Sequence, residues 1–134
     1  MNITFKALIL AIAMTFLGPV LAHASVDCKA TEDQFYKEAA ELNPKILVAS
    51  DNARTQIVER INQARKEVGQ EPFDVDKLTI GIFQYKGQVM VGTAMFKKGC
   101  LVIGTVKAFP ADQFISFLES IGISIEEFKP QVGA

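Results

Sequence analysis

The chain has 134 residues, with 14 basic residues against 15 acidic ones and a formal net charge of −1. A balance so near neutrality supplies no field to gather nucleic acid or anionic lipid, so neither is expected as a partner. The single histidine, His23, falls in an N-terminal segment that reads as removable, which excludes Ser-His-Asp, Cys-His and histidine-metal sites from the remainder.

Residues 1–24 have the layout of a secretory signal peptide. Lys6 supplies the positive start, Ala7 to Leu17 the apolar stretch, Gly18-Pro19 a break, and Ala22-His23-Ala24 a small-x-small cleavage site. The apolar stretch is too short to cross about 30 Å of hydrocarbon as one helix, so no stable membrane anchor is expected after cleavage. Cys28 follows Asp27, not a small residue at the cut, which argues against a lipid anchor. The expected product is one small α+β domain over residues 25–134, exported to a periplasm or secreted. Cys28 and Cys100 are the only cysteines, and an even count in an exported chain predicts a disulfide between them.

Thr31-Glu32-Asp33-Gln34 is a capping pattern, and a helix from about Glu32 to Leu42 follows, with Phe35, Ala39 and Leu42 on one face. Asn43-Pro44 ends it. For Ile46 to Ala49 the periodicity leaves a helical turn, a fourth strand and a buried connector open. Ser50 or Asp51 caps a second helix that runs to about Val68 and stops at Gly69, with Ala53, Ile57, Ile61, Ala64 and Val68 turned inward. Arg54, Arg60 and Arg65 are spread around this helix and read as solvated. Glu71, Asp74 and Asp76 of the connector lack the spacing of a calcium loop and read as solvated too.

Leu78 to Phe109 reads as three antiparallel strands. Lys86-Gly87 is a two-residue hairpin turn that pairs Tyr85 with Gln88. Lys97-Lys98-Gly99 is read as a three-residue turn pairing Phe96 with Cys100. That register sets Gly81 opposite Gly92 and Gly92 opposite Gly104, a row of three glycines on one face. Both faces are apolar, so both need cover. Pro110 then opens a last helix, with Phe114, Ile115, Phe117, Leu118 and Ile121 apolar and Gly122 as its stop. The expected order is α-α-β-β-β-α, a three-stranded antiparallel meander with the second and third helices on its faces and one disulfide.

The glycine row has two readings. Missing side chains let a helix lie close to the sheet or let the sheet bend strongly, or they floor a shallow groove flanked by Phe83, Met90 and Phe96. The basic turn tip Lys97-Lys98 is either a solubility device or a contact for an acidic partner. No metal set, Gly-x-Gly phosphate loop or paired carboxylate in an apolar pocket is visible, so no cofactor and no catalytic residue is assigned. The expectation is a non-catalytic binding, inhibitor or envelope-accessory protein whose partner is another protein. The alternatives are a carrier of a small apolar ligand over Gly81, Gly92 and Gly104, and an enzyme using carboxylates or a free thiol. A homodimer through an uncovered sheet face is a further partner reading.

Overall fold

The structure is a computed structural model that describes residues 16–17 and 25–131. The expected signal peptide and His23 therefore lie outside the described residues, apart from Phe16 and Leu17. Strand β1 (Val26–Thr31) leads into helix α1 (Glu32–Ala39), which tightens into a 3-10 turn over Ala40–Leu42. Then come β2 (Lys45–Ala49), α2 (Asp51–Glu67), β3 (Lys77–Tyr85), β4 (Gln88–Lys97), β5 (Cys100–Val102), β6 (Lys107–Pro110), α3 (Ala111–Ser120) and, after a second 3-10 turn, β7 (Phe128–Pro130). The fold is α+β.

Each helix boundary has a local cause. The Thr31 hydroxyl accepts the Gln34 N–H at 3.3 Å to start α1, and Asn43 ends the following 3-10 turn in the left-handed region at φ 49°. Ser50, not Asp51, caps α2, its hydroxyl accepting the Ala53 N–H at 3.0 Å.

The three strands expected from the sequence are the middle of a larger sheet. Its order is β1-β5-β4-β3-β2-β7, with β6 pairing β4 beyond the end of β5, and each of these pairings is antiparallel. A lone meander would leave β3 with an open edge of unpaired backbone groups. The segment Ile46 to Ala49 fills that edge as part of β2, which settles the choice left open by its periodicity.

The β3–β4 hairpin has the expected register, with Tyr85 opposite Gln88 and Gly81 opposite Gly92. The next register is one residue off expectation: Lys97, not Phe96, pairs with Cys100. Lys98 takes φ 50° beside Gly99 at 78°, so the turn closes in two residues like the first, where Lys86 takes φ 51° and Gly87 77°. A one-residue slip exchanges faces. Val102 accordingly joins the helix-covered core, where it is 2% exposed.

Gly104 does not continue the glycine row. In the register of β5, Gly92 would face Thr105; it faces Ala108 of β6, because the chain bulges outward over Ile103 to Val106. Gly104 sits in that bulge at φ 91°, against the Phe73 ring. Thr105 repairs the interrupted ladder. Its buried hydroxyl accepts the Met95 N–H at 3.1 Å and donates to the Val102 carbonyl at 2.7 Å.

Helices α2 and α3 cover the same face, correcting the expectation that they sit on both. Ala53, Ile57 and Ile61 of α2 and Phe114, Phe117 and Leu118 of α3 share one core with Leu78, Ile80, Val91 and Met95 of the sheet. Ala53 and Ala64 therefore pack away from the glycines. Arg65 is also unlike its expectation: it is 2% exposed, its guanidinium lies 4.0 Å from the Phe73 ring centre, and burial pulls its pKa down. Among the described residues, no helix is long and apolar enough to cross a membrane.

Candidate functional site

The glycine-bearing face is covered by α1 at one end. Cys28 of β1 is bonded to Cys100 of β5 across a sequence separation of 72, which ties the start of α1 to the sheet. Closing a loop of that length contributes about 4 kcal/mol in the chain-entropy model. Three further contacts seat the helix. Glu32 pairs with Lys77, the Glu32 N–H donates to the Gly99 carbonyl at 3.0 Å, and the Phe35 and Tyr36 rings lie 5.9 and 6.0 Å from Phe96.

Beside this contact the helix and sheet diverge, leaving an apolar cleft of about 280 Å³. Phe35, Ala39 and Leu42 form its helical wall, and Pro44 and Ile46 close one side. Gly81 and Gly92 floor it, with Phe83 at the rim and Ala94 and Ala108 alongside. Lys107 is the one charged residue among the described residues that line it. The volume is near the lower end of small-molecule sites, about 300–1,000 Å³.

Gly81 and Gly92 have different surroundings. A Cβ on Gly81 would meet Pro44 Cβ at 3.3 Å and Ile46 Cδ1 at 3.4 Å, so its bare backbone lets the incoming chain lie close. A Cβ on Gly92 would meet the edge of the Phe83 ring at 3.4 Å and, at ordinary contact distance, the Lys107 and Gly81 carbonyl oxygens at 3.7 and 3.9 Å.

The polar groups at this end are paired. The Tyr36 hydroxyl donates to Glu32 Oε1 at 3.0 Å and shares a hydrogen bond with the Thr79 hydroxyl, also at 3.0 Å. Burial pushes the Tyr36 phenol above its ordinary pKa; the nearby Glu32 carboxylate adds to this and the Thr79 hydrogen bond opposes it. The cluster braces the cleft's wall.

Of the residues expected at a ligand or partner face, Gly81, Phe83 and Gly92 come together at the cleft. Met90 stands opposite Phe83 in the ladder, half-buried, and is not part of the wall. Phe96 is fully buried beneath the two rings of α1. Gly104 is in the bulge. Lys97 pairs with Asp74 at 3.1 Å, and the backbone N–H of exposed Lys98 donates to Asp76 Oδ2 at 2.8 Å. The wall residues Phe35, Ala39 and Leu42 were legible as an apolar helix face, whereas nothing local signalled that Pro44, Ile46 or Ala108 would join them.

A wider hollow of about 660 Å³, bordered by Ser25, Glu71, Asp74 and Lys97, is more polar and more open to solvent. No known protein family, curated protein or solved structure matches this chain.

Proposed function

We propose that this protein is a non-catalytic, exported binding protein that holds a small apolar molecule in the cleft over Gly81 and Gly92. The observation that carries this reading is the cleft itself, an apolar recess with backbone for a floor and a helix for one wall. Such a recess rewards transfer of apolar surface from water by about 25 cal/mol per Å² buried. The disulfide supports an oxidising compartment. Engagement of Lys97 by Asp74 makes the basic turn tip a poorer candidate for the binding surface than the cleft.

Native mass spectrometry of the protein purified from its own host tests the reading, together with titration by the neutral fluorophore N-phenyl-1-naphthylamine. A bound mass released on denaturation, or saturable one-to-one uptake of the fluorophore, is expected. A bare chain that also fails to take up the fluorophore overturns the assignment. Intact mass beginning at Ser25 tests export.

A further inference from the structure

A second recess lies on the opposite, helix-covered side of the sheet, and in this structure the chain's own Phe16 fills it. Phe16 is 4% exposed, with its ring centre 6.0 Å from that of Phe109. Its carbonyl accepts a hydrogen bond from Arg65 Nη1 at 2.9 Å. Arg65 is held for this contact by two others: its guanidinium lies over Phe73, and its Nε donates to the Glu71 carbonyl at 2.6 Å. Arg65 is in the last turn of α2, Phe73 in the connector and Phe109 in β6, so all three anchors belong to residues 25–134.

The occupant is a different matter, because Phe16 falls inside the segment expected to be cleaved after Ala24. Removing it would take a whole ring from beside Phe109 and the acceptor from a buried guanidinium. A buried donor without its acceptor is unfavourable, more so when charged, and a ring-sized void forfeits the packing around it. Water satisfies the guanidinium but does not replace the ring. A refilling group must match both features: an aromatic side chain, and beside it a backbone carbonyl.

We propose that in the processed protein this recess is a docking site for an aromatic residue of another polypeptide, whose ring packs on Phe109 and whose backbone carbonyl accepts from Arg65. The signal segment acts as a stand-in for that partner. The site is separate from the apolar cleft, which lies across the sheet; it rests on the cleavage after Ala24 that the export reading expects, and not on the cleft's ligand.

The test uses the processed protein as cells export it, its N-terminus established by intact mass, and a dye-labelled synthetic peptide of residues 11–20 as the probe. Fluorescence anisotropy is expected to show saturable one-to-one binding. A peptide carrying Phe16→Ala should bind roughly tenfold or more weakly, since it lacks the ring that packs on Phe109. An Arg65→Lys protein should bind the original peptide about tenfold more weakly, because a lysine lacks the planar fork that reaches both carbonyls. The peptide comparison needs no change in the protein, so it decides the matter even where Arg65→Lys folds poorly. Absence of saturable binding, equal binding of the Phe16→Ala peptide, or an exported chain that still carries Phe16 would each overturn the proposal.

Discussion

The Tyr36 hydroxyl lies 3.0 Å from the Thr79 hydroxyl, joining the helix that walls the cleft to a strand beneath it. Removing the phenol oxygen with Tyr36→Phe should lower stability by about 1 kcal/mol, read as a lower urea midpoint at unchanged slope. In a Tyr85→Phe protein, ultraviolet titration reads Tyr36 alone, and its midpoint is expected above pH 10. Since the folded pKa is raised, the linked stability is complete below the unfolded value of about 10 and is lost as pH rises toward the folded one. A midpoint at or below the ordinary tyrosine value would contradict the burial of this group.

The two floor glycines should respond differently to alanine. At Gly81 the new Cβ meets a proline ring 3.3 Å away, so Gly81→Ala is expected to destabilise by about 1–3 kcal/mol. At Gly92 the neighbour is the tip of a phenylalanine side chain, and Gly92→Ala should be the milder change in thermal denaturation. Gly92→Leu should fill the recess and abolish uptake of N-phenyl-1-naphthylamine. Undiminished uptake would place the fluorophore elsewhere.

Thr105 offers a cleaner test of the bulge. Thr105→Val keeps the shape but strands the Met95 N–H and deprives the Val102 carbonyl of its donor, both in a buried setting. The expected loss is about 1–3 kcal/mol in urea unfolding, whereas Thr105→Ser, which keeps the hydroxyl, should retain most of the stability. Equal stability of the valine and serine proteins would mean that the hydroxyl does not complete the ladder.

Glu127 links the C-terminal turn to the start of α2. Its Oε1 accepts from Asn52 Nδ2 and from the Ser50 hydroxyl, each at 2.9 Å, and these hydrogen bonds hold its carboxyl below the ordinary range. A depressed folded pKa means that the linked stability is present above the unfolded value and is lost as pH falls through the folded one. Thermal midpoints taken between about pH 6 and pH 3 should therefore fall more steeply for the natural protein than for Glu127→Gln. Parallel curves would show that the tie carries no proton linkage.

Features decided within a few residues could be read directly from the sequence. Lys86-Gly87 admits the two positive φ angles of a tight hairpin, so the β3–β4 register, including Gly81 opposite Gly92, was legible. Thr31 and Ser50 announced their helices through hydroxyls placed to accept nearby N–H groups. Two cysteines in one chain left one intramolecular pairing.

Other features depend on competition between distant parts. Lys97-Lys98-Gly99 is compatible with turns of two or three residues, and which one forms is decided by whether Val102 or its neighbour reaches the core. The bulge at Ile103 to Val106 is stabilised by Met95 and Val102, contacts that no local pattern in those four residues announces. Both sheet faces read as equally apolar, and only the complete packing shows α2 and α3 sharing one of them. Among the described residues, that choice left the other face to α1, too short to cover it, and so opened the cleft over Gly81 and Gly92. Local sterics set turns and caps residue by residue, whereas the allocation of layers minimises exposed apolar surface over the whole chain at once.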